Sequence, residues 1–134
     1  MARAFLERAL GDAGIPAQVV ARALSSAGSA VAQKAVTAAE AYGASLDGHV
    51  PTLLFAEELD GFDLVLVMEK EQRRSLVKRF PHMSDRTYRS REYGTGEPAD
   101  VKDPVGHDQA EYNDCAKRLH RACQNVAERL SASR

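Results

Sequence analysis

An aspartate followed by a proline is a good way to hold a general acid over a cleft. In Lys102-Asp103-Pro104-Val105-Gly106 the Pro104 ring fixes the backbone beside the Asp103 carboxyl, just ahead of a helical run that begins near Ala110. Such an acid needs a nucleophile to serve. The chain has two thiols, Cys115 and Cys123, and both fall on the apolar side of that closing run. A cysteine buried in apolar surroundings is inert, so both read as core packing. Arg121, beyond Cys115, lies mid-helix, where the amides are already bonded and cannot turn inward to cradle an anion. Eight positions apart on one helix, the cysteines are separated by ~12 Å along the axis, too far for a disulfide. Reduced cysteines suit a cytoplasmic protein.

The histidines add little chemistry. His49 reads as a cap on the Gly48 turn, and His82 and His120 as exposed. His107, four residues after Asp103, reads as a solvated loop residue within reach of the acid. No His, Cys, Asp or Glu grouping has metal-ligand spacing. Gly94-Thr95-Gly96 lacks the lysine of a phosphate-binding loop. No cofactor or metal is implied.

Composition narrows the classes further. The 134 residues are 44% apolar and 28% charged, with a formal net charge of −1, which suits one globular domain spanning 1–134. Charges of both signs are interspersed, so neither nucleic acid nor an anionic membrane is an expected partner. The densest basic stretch, Lys70 to Arg79, alternates with apolar residues and reads as a solvated helix face. No apolar run reaches the ~20 residues of a membrane span, and no signal peptide is visible.

The elements that position Asp103 follow from periodicity. Met1 to Leu10 carries a helical stripe of Phe5, Leu6, Ala9 and Leu10, ended by Gly11-Asp12-Ala13-Gly14. Val19 to Leu24 is a β-branched run, read as a short strand. Val31 to Tyr42 has helical spacing and stops at Gly43. Leu46 to Pro51 is a turn region, and Ala56 to Leu59 a short helix. Phe62 to Met68 is a near-continuous apolar run, the pattern of a parallel strand buried on both faces. A helix with Leu76, Val77 and Phe80 ends before Pro81. Thr87 to Tyr93 reads as a last short strand, and Gly94 to Asp108 as a loop. In the closing helix Tyr112, Cys115, Leu119, Cys123, Val126 and Leu130 share one face. Helices alternating with short strands imply an α/β fold with a parallel sheet.

In order and spacing, these pieces resemble the low-molecular-weight protein tyrosine phosphatases, in their small bacterial branch. Met1-Ala2-Arg3-Ala4-Phe5-Leu6 is similar to the start of the family's first helix. Ser26-Ala27-Gly28-Ser29 resembles its Ser-Ala-Gly-Thr, and Gly48-His49 followed by Leu53 its Gly-His turn. Asp63 to Glu69 resembles the strand ending in Met-Asp or Met-Glu. Asp103-Pro104-Val105-Gly106, with Tyr112 downstream, resembles the acid loop and final helix. The resemblance implies a three-layer α/β sandwich with a short parallel sheet and hydrolysis of a phosphoprotein through a phosphocysteine. A Cys-x5-Arg-Ser loop cradles the phosphate, its thiolate attacks phosphorus, and its arginine clamps the oxygens. By the same resemblance Asp103 is the general acid and Val105 touches substrate, in a place where the family usually has a ring-stacking aromatic. Thr52 stands where the family often has an arginine.

Against that pattern, Met1 aligns just after the phosphate loop. The expectation is therefore a fold without its first strand and nucleophile, and a chain inactive by itself. A missing inner strand should cost more than the ~5–15 kcal/mol a domain has to spare. One outcome is an internal start in a longer phosphatase, to be checked in the upstream reading frame. The others are a non-catalytic binding module or pseudoenzyme, and a sheet completed by a strand from a partner or from a second copy in a homodimer.

Overall fold

The computed structural model describes residues 1–24, 32–46 and 52–133. Among these described residues six helices and two strands follow in order: α1 (Ala2–Asp12), α2 (Gln33–Glu40), α3 (Ala56–Leu59), β1 (Val65–Val67), α4 (Lys70–Arg79), β2 (Thr87–Arg89), α5 (Ser90–Thr95) and α6 (Gln109–Ala132), with a 3₁₀ turn at Pro81–Arg86 before β2. The α/β architecture with a parallel sheet is as the alternating pattern implied. The sheet pairs β1 with β2 in parallel, Val65 opposite Thr87 and Val67 opposite Arg89, with α4 as the crossover that a parallel pair requires.

Long helix α6 is the spine, and α1, α2 and α5 pack against it. Its stripe of Tyr112, Cys115, Leu119, Cys123 and Val126 is buried, as the three- and four-residue spacing demands; Leu130, near its end, is half-buried. Across from it lie Phe5 of α1, Ala35, Ala38 and Ala39 of α2, Leu46 and Val101. The small alanines let α2 lie close to α6 in this core.

Three expectations need correction. The apolar run Phe62 to Met68 forms a ladder over Val65–Val67 alone, and of its residues Val67 is buried while Leu64, Val65 and Leu66 are half-buried. Burial on both faces needs cover and strand neighbours on both sides. Among the described residues β1 is paired with β2 only. Val19 to Leu24 forms no strand and contributes one isolated parallel bridge, Ala23 with Leu53. Thr87 to Tyr93 is strand for three residues and then turns helical as α5, so the following loop begins after Thr95.

Candidate active site

Asp103 lies exposed in the loop between α5 and α6. Its Oδ1 accepts the Val105 N–H at 3.0 Å, a side-chain turn that aims the carboxyl back over its own loop. The His107 N–H donates to the Pro104 carbonyl at 2.9 Å, and Gly106 takes φ +84° within that turn, a left-handed backbone that glycine adopts freely. The turn pushes Val105 outward, 71% exposed beside the carboxyl. An aliphatic side chain so exposed does not pack under the loop.

Both ends of the loop are fastened. At the near end the Val101 N–H donates to the Met68 carbonyl at 2.8 Å, just past β1, and the Val101 side chain enters the core. One residue earlier, Asp100 Oδ1 accepts the Lys70 N–H and the Arg89 guanidinium, each at 2.9 Å. The Arg89 guanidinium, then the Lys70 amide, holds the Asp100 carboxyl below its ordinary pKa, and Asp100 in turn raises Arg89. At the far end Asp108 caps α6, accepting the Glu111 N–H at 3.0 Å. Lys34 Nζ of α2 donates to the His107 carbonyl at 2.8 Å, and Gln109 Nε2 donates to the Lys34 carbonyl at 3.0 Å.

The thiols stand apart from this loop chemistry. Cys115 and Cys123 are both buried in α6. Burial pushes the Cys115 thiol up, and the charge of Asp103 adds to the rise. Burial lifts Cys123 to about 12 against the opposing pull of the N-terminal ammonium, and its Sγ donates to the Ala2 carbonyl at 3.7 Å. By letter, Cys115 to Arg121 and Cys123 to Arg129 each fit Cys-x5-Arg. Helix α6 runs unbroken through all four residues, so their amides are engaged within the helix. Arg129 instead lies over the Tyr93 ring, 4.0 Å from its centroid.

His120 is half-buried rather than exposed, stacked on Tyr42 with centroids 4.4 Å apart and edge-on to Phe5 at 5.7 Å. His82 is exposed and pairs with Asp60 at 3.0 Å. His107 is exposed and gives the loop its carbonyl. His49 and the segment Ser26-Ala27-Gly28-Ser29 lie outside the described residues, as does the Gly48 turn. Among the described residues no three His, Cys, Asp or Glu side chains gather as a metal site, and no helix is long and apolar enough to cross a membrane. The sequence pattern did not single out Arg89, Asp100 or Lys34. Asp100, three residues ahead of Asp103, offered a local hint; the other two are partners made only by folding.

A short parallel sheet packed with a long final helix, and an Asp-Pro turn leading into that helix, define an α/β fold with the acid loop at the helix start. The sequence matches the profile of the low molecular weight phosphotyrosine protein phosphatases over residues 1–134, and the chain belongs to that family. Among curated proteins it is similar to the protein-arginine-phosphatase of Bacillus subtilis (strain 168), 29% identical over 86 residues, 64% of this chain and 57% of that protein. It is also similar to the low molecular weight protein-tyrosine-phosphatase Ptp of Acinetobacter johnsonii, 30% identical over 82 residues, 61% of this chain and 56% of that one. The matched segments thus span little more than half the length of either relative. The fold resembles that of a YwlE mutant from Bacillus subtilis, with a TM-score of 0.89 at 25% identity, covering 96% of this chain and 87% of that one. It also resembles the low molecular weight protein tyrosine phosphatase from T. tengcongensis, with a TM-score of 0.86 at 26% identity, covering 95% and 87%.

Proposed function

We propose that this chain forms the leaving-group side of a phosphatase site, with Asp103 as general acid and Val105 beside the substrate. The observation that carries the reading is the Asp103 carboxyl itself: exposed, turned by the Val105 amide, and set on a loop fastened at both ends. In the reaction a thiolate attacks phosphorus and the bond from phosphorus to the leaving atom breaks. Asp103 gives its proton to that leaving atom. It then takes a proton from the water that splits the phosphocysteine, which restores the acid. The thiolate and its arginine belong to the Cys-x5-Arg-Ser loop that the family resemblance implies. Cys115 and Cys123, buried in α6, do not supply it, so the 134-residue chain by itself is inactive.

The two curated relatives carry the names of an arginine phosphatase and a tyrosine phosphatase. Val105 favours the first kind of substrate. An aliphatic side chain beside the acid packs on an alkyl guanidinium and offers no ring to stack on phosphotyrosine.

The test has two arms. The chain alone is assayed with para-nitrophenyl phosphate, with no turnover expected; hydrolysis lost in Asp103→Asn would overturn the inactivity. A strand and a Cys-x5-Arg-Ser loop of the family's pattern are then joined ahead of Met1. This chimera gains hydrolysis, and Asp103→Asn lowers it by about 10²–10⁴-fold. A folded, active chimera indifferent to Asp103→Asn sinks the acid assignment.

A second reading is favoured by β1, which has a strand partner on one edge among the described residues and two half-buried apolar side chains, Val65 and Leu66. In it the scaffold is a binding module completed by a strand from a partner or a second copy. A well-folded monomer in gel filtration counts against it.

A further inference from the structure

We propose that Arg89 and Asp100 are positioning residues for the Asp103 loop, their ion pair strapping the start of the loop to the C-terminal end of the sheet. The proposal rests on the reading of Asp103 as general acid. Its basis is a set of contacts that converge on two consecutive residues. Asp100 is held three ways: its carboxylate accepts the Lys70 amide and the Arg89 guanidinium at 2.9 Å, and its carbonyl accepts from Arg91 at 3.3 Å. Val101 follows with its amide on Met68 and its side chain 2% exposed in the core. Arg89 ends β2 and Met68 follows β1, so the strap takes its position from the sheet.

Only Val101 and Lys102 separate Asp100 from Asp103. Three residues of chain reach at most ~10 Å, so the carboxyl of Asp103 cannot drift far while Asp100 is fixed. A general acid must come within ~2.6–3.2 Å of the atom it protonates, and a misplacement of ~1 Å costs about 10²-fold in rate. The strap is also hard to replace. The Arg89 side chain is 13% exposed, and its other carboxylate, Glu92, sits farther off at 3.4 Å. Both donors of the Asp100 carboxylate meet one oxygen, so without Arg89 the Lys70 amide alone is left to hold it.

The experiment compares Arg89→Gln and Asp100→Asn with the parent by amide hydrogen exchange on the 134-residue chain. Asp100→Asn keeps the shape and one acceptor oxygen, so it stands in where Arg89→Gln does not fold. Expected is exchange about tenfold faster at the Val101, Val105 and His107 amides, with α6, β1 and β2 unchanged. In the chimera, Arg89→Gln lowers kcat about tenfold or more at nearly constant KM, and Arg89→Lys recovers part of it. Added to Asp103→Asn, Arg89→Gln gives no further loss, because it acts through that carboxyl. Unchanged loop exchange in both variants overturns the proposal. So does loosening of α6 together with the loop, or a full additional loss in the double variant. If Asp103→Asn alone leaves the chimera's turnover intact, the reading of the acid fails, while the exchange data still decide whether the strap exists.

Discussion

Lys34 Nζ donates to the carbonyl oxygen of His107 at 2.8 Å, across 73 positions of sequence. Through this bond α2 holds the far end of the Asp103 loop, and the return bond from Gln109 to the Lys34 carbonyl makes the tie reciprocal. The contact is exposed, so its worth in stability is small, about 0.5–1 kcal/mol. Lys34→Met keeps the alkyl stem and removes the donor. Urea unfolding should shift by no more than that, while amides from Gly106 to Gln109 exchange several-fold faster. A loss above about 2 kcal/mol would mean that Lys34 supports the fold as a whole rather than the loop.

The legible and illegible parts of the molecule differ in the range of their causes. The α6 stripe was readable because helical burial repeats every three or four residues, and Tyr112, Cys115, Leu119, Cys123 and Val126 follow that rhythm. The Asp103-Pro104 turn was readable because its chemistry is local. Thr87 to Tyr93 was misread because threonine and tyrosine favour strands, yet the chain turns helical at Ser90, where packing on α6 outweighs propensity. His120 was misread because a histidine on an amphipathic helix commonly faces water; here Phe5 and Tyr42, from distant segments, supply two rings around it. The supports of Asp103 were hidden for the same reason. Lys34 and Arg89 become neighbours of its loop only after folding.

Gly94 shows what that packing demands. A methyl group added there would lie 2.8 Å from Asn125 Cβ and 3.3 Å from the Ala122 carbonyl, both on α6. Backbone is a poor thing to displace, so α5 must move off α6. Gly94→Ala should therefore destabilise by about 1–3 kcal/mol despite the gain in helix propensity. Thermal unfolding measures it, and a raised melting temperature would show that the α5–α6 contact yields freely.

Val105 provides a test of substrate preference separate from the acid. Exposed beside Asp103, it has room to be enlarged without disturbing the core. In the chimera, Val105→Phe should raise kcat/KM for an aryl phosphate relative to a phosphoarginine peptide by about 2–12-fold, the range of one added ring contact worth 0.5–1.5 kcal/mol. An unchanged ratio would remove Val105 from the substrate's surroundings.

Cys123 makes stability depend on pH in the alkaline range. Its thiol sits at about 12 in the folded chain because burial disfavours the thiolate. In the unfolded chain a thiol titrates near ~8.5. Between those values the folded state binds more protons than the unfolded one, so the stability is whole below ~8.5 and declines as pH rises toward 12. The limiting slope is ~1.4 kcal/mol per pH unit, which gives a loss of about 2 kcal/mol by pH ~10. Lysines and tyrosines titrate in the same range, so the measurement is a difference. Urea unfolding of the parent and of Cys123→Ala is compared at pH ~7 and ~10. The parent should lose about 2 kcal/mol more than the variant over that interval. Equal losses would mean that Cys123 ionises in the folded chain as freely as in the unfolded one, which its place beneath α1 against the Ala2 carbonyl does not allow.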